Sequence, residues 1–392
     1  MPYPTSYRLA TLTAACGALV SALPAHAVDW TGYMRGGPAA TDVSGKSRQC
    51  YGLNSPGLKY RLGNECDFYG EFQLAQAMKA DGVDFNAVLM TNYYSPQTES
   101  NNNYGIEQAY VEMKGVDIAP QALFWMGKRR DRDDVHIVDT FFTNMSGVGA
   151  GVENINAGFG KFGFSGYKTD SNGGANGIAR LHAQLYDIPV NPDGKLRLVA
   201  TFSKADSQGG QKGKDGFGLT AEHVQDKFFG GGNHIWLQYA QGSTNINQGF
   251  GNALADTNTK TWRIVESPSW QIGSFGGQAI ALYQHDEADG GVKWNSYTLG
   301  GRGSFGITKN LKFLTEIGFS GRKPNGGSQE NLTKVTIGPA LSTGPDFWKR
   351  PELRLYVTYA DFNKAAAQDA QNGLPTNKTN AVSYGAQVEI WF

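Results

Sequence analysis

From Val382 to Phe392 apolar and polar side chains alternate. The even positions carry Val382, Tyr384, Ala386, Val388, Ile390 and Phe392. The odd ones carry Ser383, Gly385, Gln387, Glu389 and Trp391. Successive side chains of a β-strand point to opposite faces. The pattern therefore predicts a strand with one wholly apolar face and one polar face that holds a single tryptophan. The same period recurs upstream. In Leu353–Tyr359, the residues Leu353, Leu355, Val357 and Tyr359 oppose Arg354, Tyr356 and Thr358. In Asp67–Met78, Phe68, Phe72, Leu74 and Met78 share a face with Gly70 and Gln76, and Asp67, Tyr69, Glu71 and Gln73 take the other. Val83–Tyr93, Ile235–Tyr239 and Leu311–Phe319 read as further strands with weaker alternation.

Between these segments lie Gly-, Asn- and Ser-rich stretches, Gln97–Tyr104, Ser207–Asp215 and Gln241–Asn252, which read as long polar loops. Asn191-Pro192-Asp193-Gly194 reads as a tight turn. Long loops at one end and short turns at the other is the plan of a transmembrane β-barrel. A pair of soluble β-sandwiches would alternate too, but would need a linker, and none is visible. No repeat of 20–50 residues suggests a propeller or solenoid. The expected fold is all-β, a transmembrane antiparallel barrel.

Composition sharpens this picture. Glycine is frequent, 52 residues of 392, and disfavours long helices, since an interior Gly costs about 1 kcal/mol relative to Ala. No apolar run reaches the roughly 20 residues of a membrane-spanning helix. Lys plus Arg and Asp plus Glu are equal at 35 each, so the basic excess of a nucleic-acid binder is missing. Residues 1–27 read as an export signal: Arg8, an apolar stretch Leu9–Leu23, then the small-x-small site Ala25-His26-Ala27. The barrel domain is expected over residues 28–392. Thr13-Ala14-Ala15 before Cys16 matches a lipoprotein signal poorly. Cys50 and Cys66 would remain after cleavage, with fifteen residues between them. In an oxidising compartment a disulfide is the default, stabilising by about 3 kcal/mol in the chain-entropy account. A zinc site would need further ligands, and no other cysteine or nearby histidine supplies them.

Lys128–Asp139 stands apart: Lys-Arg-Arg-Asp-Arg-Asp-Asp-Val-His-Ile-Val-Asp. Phe141, Phe142 and a glycine-rich Ser146–Gly151 follow. Dense opposite charges at a pore constriction offer donors and acceptors to a polar solute, and sugar hydroxyls are both. A surface salt-bridge cluster is the competing reading. Asp134, His136 and Asp139 could be taken for a catalytic set, and two carboxylates for a glycosidase pair. No serine or cysteine nucleophile stands near in a known motif, so the chain is expected not to be an enzyme and to need no cofactor or metal.

These residues resemble the maltoporin family of sugar-specific outer-membrane porins. The resemblance runs in order from Val28-Asp29-Trp30-Thr31-Gly32-Tyr33-Met34-Arg35 through Lys59-Tyr60-Arg61-Leu62-Gly63-Asn64-Glu65-Cys66. It continues with Gly127-Lys128-Arg129, Arg132, Asp134-Val135-His136, Gly149–Asn154, Thr220-Ala221-Glu222-His223 and Arg350-Pro351 to Glu389-Ile390-Trp391. It implies an 18-stranded antiparallel barrel with an inward-folded third loop, here about residues 129–149. It also implies a homotrimer surrounded by outer-membrane lipid and lipopolysaccharide, whose last strand is read by the barrel assembly machinery. The implied function is facilitated diffusion of maltose or maltodextrin-like oligosaccharides along a lane of rings, Tyr33, Tyr69 and Trp391. The polar track and constriction would be Arg35, Arg61, Glu71, Arg132, Asp134, His136, Asp139 and Phe141. The face assignments agree independently: all three rings share faces with polar residues.

The chain also departs from the family. Phe141 stands where the family has a tyrosine. A lane phenylalanine aligns with Leu219, and a lane tryptophan falls near Ser296 or Tyr297. The tryptophan lent by the second loop has no aromatic counterpart around Glu99, and a track arginine aligns near Glu107. These departures leave open a general diffusion porin, or a porin for another sugar such as a sucrose-like one.

Overall fold

The computed structural model describes residues 28–54, 58–96, 103–169, 177–208, 211–256 and 258–392. The expected export signal, Glu99 and most of the Gln97–Tyr104 loop lie outside the described residues. Among the described residues, eighteen antiparallel strands close into one barrel. The first strand, Asp29–Gly36, is continued by Ala39–Thr41. It pairs on one side with Phe68–Ala80, Tyr33 opposite Glu71, and on the other with Asn380–Trp391, Tyr33 opposite Trp391. Closure leaves no free sheet edge.

Burial in this molecule is inverted relative to a soluble protein. In Glu352–Phe362 the outward Leu353, Leu355, Val357 and Tyr359 are exposed, and Arg354 and Thr358 are buried. In the last strand Ser383, Gln387 and Glu389 are buried while Tyr384 and Phe392 are exposed. A surface of Leu, Ile, Phe and Val around a core of Arg, Glu, Thr and Ser suits lipid outside and a polar lumen within.

Tight two-residue turns join strands at one end. Asp81-Gly82 and Phe229-Gly230 both hold positive φ, 48° and 84°, 46° and 82°, the geometry of a type I′ hairpin turn. Pro192-Asp193 joins Ile178–Asn191 to Gly194–Ala205 as expected. At the other end the connections are long. Tyr104 belongs to the strand Asn103–Lys114 rather than to a loop, because its hydroxylated ring pairs across to Tyr93.

Two of the long connections fold into the lumen. The third, between Leu123–Arg129 and Gly147–Asn156, spans residues 130–146, slightly shorter than expected because the flanking strands extend inward from both ends. Its apolar residues explain its path. Val135, Ile137, Val138 and Phe142 are buried against Trp236, Val265, Ile280 and Leu282 of the inner wall, and each such side chain contributes on the order of 2 kcal/mol. Gln238 Nε2 and Arg263 Nη2 donate to Phe142 O at 2.8 and 2.9 Å. The first connection, closed by the Cys50–Cys66 disulfide with Cα atoms 6.0 Å apart, also turns inward. Lys334 Nζ donates to Leu62 O at 2.6 Å, and Leu62 N donates to Glu316 Oε1 at 2.9 Å. The Tyr60 ring lies over Gly318, where a Cβ would come within 2.1 Å of it; only glycine admits that approach.

The two connections touch. Arg61 N donates to Ile137 O at 3.0 Å and Asp139 N to Lys59 O at 3.2 Å. Lys59 Nζ pairs with Asp139 at 3.1 Å. This contact makes a partition across the outer half of the lumen.

Candidate functional site

On one side of the partition lies a cavity of about 740 Å³. Every residue expected in the lane, track and constriction lines it: Tyr33, Tyr69, Trp391, Arg35, Arg61, Glu71, Arg132, Asp134, His136, Asp139 and Phe141. The charged segment is therefore a lumen feature and not a surface cluster.

The rings form a line because register aligns them. Tyr33 is opposite Trp391 on the neighbouring strand, and Arg35 is opposite Tyr69. The Tyr33 and Tyr69 ring centroids are 6.3 Å apart. Two further rings were not anticipated. Tyr94 lines the cavity beside Tyr69, its partner across the strands. Trp348, in the connection after Glu330–Ser342, lies 6.4 Å from Trp391 and extends the line toward the short-turn end. The signal for Trp348 was an aromatic doublet, Phe347-Trp348, within a Gly- and Pro-rich turn. Phe347 is buried against His136, and that contact points Trp348 into the lumen.

Leu219 is half exposed on the lipid side, its strand neighbours Gly218 and Thr220 facing inward. Of the two positions open for the lane tryptophan, Tyr297 faces outward against Phe319, and Ser296 faces inward but has no ring to offer. At Glu107 there is no arginine, but Arg130 reaches Glu71 at 2.6 Å, so a guanidinium still sits on that carboxylate.

The track alternates in sign. Arg35 bonds Asp67 at 3.0 Å, Arg132 pairs with Glu71 at 3.3 Å, and Tyr69 OH donates to Glu71. Arg61 Nη2 donates to Tyr33 OH at 2.6 Å, and Tyr33 OH donates to Glu389 at 3.1 Å. Among the described residues no cation lies within ion-pair distance of Asp134. Arg132 stacks on the Phe141 ring, 4.1 Å from Cζ to centroid, so the ring fixes a donor although it lacks a hydroxyl. His136 has Nε2 3.1 Å from Arg350 Nη2 and 3.5 Å from Glu389. Burial, with Arg61 and Arg302 adding to it, pushes its pKa down to about 4 against the pull of Glu389. The imidazole is thus neutral at pH 7. The arrangement offers flat apolar faces in a row with fixed donors and acceptors beside them.

A family model described as LamB porin matches residues 28–392. Among solved structures, the chain is similar to OmpF of Salmonella typhi, in a complex with daunomycin, with TM-score 0.51 and 10% identity over 93% of this chain and 97% of that one. It is similar to Pseudomonas aeruginosa OpdQ, with TM-score 0.50 and 7% identity over 94% of this chain and 99% of that one. At such identities the likeness is one of fold.

Proposed function

The chain belongs to the LamB porin family and is an outer-membrane diffusion channel, and from this we propose that its cargo is carbohydrate, maltose and maltodextrin-like oligosaccharides first. The observation that carries the proposal is the line Trp348, Trp391, Tyr33, Tyr69 and Tyr94 within a charged lumen. An aromatic ring facing water and charge has no packing reason to be there, whereas a pyranose presents an apolar face to stack on and hydroxyls for the track. Passage is passive and saturable, each chain of a proposed homotrimer acting as its own pore. Residues 1–27 are proposed to be cleaved after Ala27. The exposed belt would meet lipid and lipopolysaccharide, and the terminal strand would be read by the barrel assembly machinery. None of these steps calls for catalysis or a cofactor.

A second reading, a general diffusion pore or one for a sucrose-like sugar, is favoured by Phe141, which offers the constriction no hydroxyl. Block of ion current through single channels by a panel of sugars separates the readings. Maltotriose should block saturably and more strongly than sucrose. Equal, non-saturating effects of both would overturn the maltodextrin reading.

The constriction also makes an electrical prediction. Replacing Asp134 and Asp139 by Asn should shift the reversal potential in a salt gradient toward anions, because carboxylates at a constriction attract cations and loss of Asp139 leaves Lys59 with Glu65 alone. One charge at about 4 Å in water is worth about 1 kcal/mol, so the cation preference should fall by up to roughly fivefold per charge. An unchanged reversal potential would place ion flow elsewhere.

A further inference from the structure

On the far side of the partition is a second cavity of about 740 Å³. It shares no lining residue with the lane. Its walls are the first connection near Asn54 and Lys59, the loop after Gly231–Gln241, and the outer ends of Lys260–Ile272, Phe275–Glu287 and Lys293–Gly306. We propose that this pocket is a separate, non-conducting binding site for a neutral, hydroxyl-rich ligand, a carbohydrate, at the mouth of the channel.

The pocket is blind. Directly below its inward-facing Thr261, Gln284 and Asp286 the next positions on the same two strands are Arg263, Val265, Leu282 and Ile280. These are buried, the three apolar ones packed against Val135, Val138 and Phe142 of the inward loop. Along these two strands the way down the lumen is thus closed by an apolar plug. The Lys59–Asp139 pair, among the described residues the one ion pair whose members line opposite cavities, closes the partition to the lane, so a ligand entering here leaves the way it came.

The lining specifies the ligand class. Trp294 is opposite Asp286 across the strands, and both line the pocket. The guanidinium of Arg322 lies 5.6 Å from the Trp294 ring centroid, and the ring still borders the cavity. Gln284 Nε2 donates to both oxygens of Asp286, each at 2.9 Å, and Thr261 Oγ1 donates to one of them at 2.9 Å. The Asp286 carboxylate is therefore engaged. Gln284 itself is 2% exposed and holds that carboxylate in place behind the pocket wall. Elsewhere the walls mix amides and hydroxyls with Leu53, Ile246 and glycine backbone, and Lys59 is the one cation among the described lining residues. An ion of either sign finds little complementary charge. A sugar finds a ring to lie on and, in Asn54, Asn245, Asn252 and Gln371, amides that both donate and accept.

The ligand class is the one proposed for the lane and rests on that reading, so the test must separate the two. Maltotriose is titrated calorimetrically into the intact purified protein, and the same protein is tested for current block. Two sites per chain are expected, of which only one blocks current. Trp294→Ala should remove the non-blocking site or weaken it at least tenfold while the block constant stays within twofold. Gln284→Leu gives a second reading should the first variant fold poorly, and should weaken the same site several-fold. A single calorimetric site that coincides with block overturns the pocket and leaves the lane standing. A non-blocking site lost in Trp294→Ala, with no block at any concentration, supports the pocket and overturns the lane. No binding that either variant reduces overturns the pocket.

Discussion

Glu389→Ala is expected to leave little folded barrel in the outer membrane, and what folds should unfold at a clearly lower temperature or urea concentration. The carboxylate is 2% exposed and is the point on which the lumen's cations converge. Its Oε2 accepts Arg350 Nε at 3.1 Å and Nη2 at 2.9 Å, and also Arg354 Nη2. Its Oε1 accepts Tyr33 OH at 3.1 Å and faces Arg61 at 3.5 Å. Arg350 and Arg354 share only Glu352 as a further carboxylate. Removing one member of a buried ionic network leaves the others uncompensated and costs about 3–5 kcal/mol. Glu389→Gln keeps the shape and an acceptor oxygen and should cost less. Because the groups form one network, Arg350→Ala with Glu389→Ala should cost less than the sum of the two singles. Heat-dependent gel migration and urea unfolding in detergent give the numbers. A midpoint unchanged in Glu389→Ala would mean that this cluster does not hold the inward connections.

The fold was legible because the membrane enforces a simple rule. In the last strand and in Leu353–Tyr359 each position must be either lipid-facing or lumen-facing, so hydropathy alone assigns the side of Tyr384, Glu389 and Trp391. The weaker alternation of Val83–Tyr93 has a physical cause. Its pairing with Phe68–Ala80 is unbroken, but Val88 and Met90 share the lumen face with Asn86 and Asn92 while Thr91 faces outward, so hydropathy does not separate the two faces. Tyr94 lies beyond the end of that reading. Trp348 escaped for a different reason: it sits in a connection, where period carries no information, and its direction is set by the burial of Phe347. The second pocket could not be read at all. It exists because Lys59–Arg61 and Ile137–Asp139, remote in sequence, bond to each other across the lumen. The open choice between Ser296 and Tyr297 shows the converse: a register uncertain by one residue is harmless in a loop but decides the face in a strand.

Trp391 and Phe392 are adjacent, yet their substitutions should have opposite consequences. Phe392 is exposed on the lipid side and packs edge-on against Trp30, centroids 5.0 Å apart. Its backbone closes the seam of the barrel: Phe392 N donates to Gly32 O at 3.1 Å and Gly32 N to Phe392 O at 3.0 Å. Deleting Phe392 removes both bonds and the ring from the last strand to pair, so the amount of folded barrel in the membrane should fall severalfold. Trp391 faces the cavity. Arg350, whose side chain is buried, lies over its ring at 4.1 Å, a contact worth about 2 kcal/mol when desolvated, but Arg350 remains anchored by Glu389 and Glu352 without it. Trp391→Ala should therefore assemble nearly as well as the parent. Its cost should appear in the lane. If a sugar ring covers roughly 50 Å² of the indole, at about 25 cal/mol per Å² the contact contributes on the order of 1 kcal/mol, a five- to tenfold weakening of sugar affinity by about that amount. Small-ion conductance should hold or rise, because the pore widens there. Quantitative blotting of outer membranes and sugar block of single-channel current measure the two effects separately. Loss of assembly in Trp391→Ala, with sugar affinity intact in whatever Phe392-deleted barrel can be recovered, would reverse the inside and outside of this strand and remove the lane's physical basis.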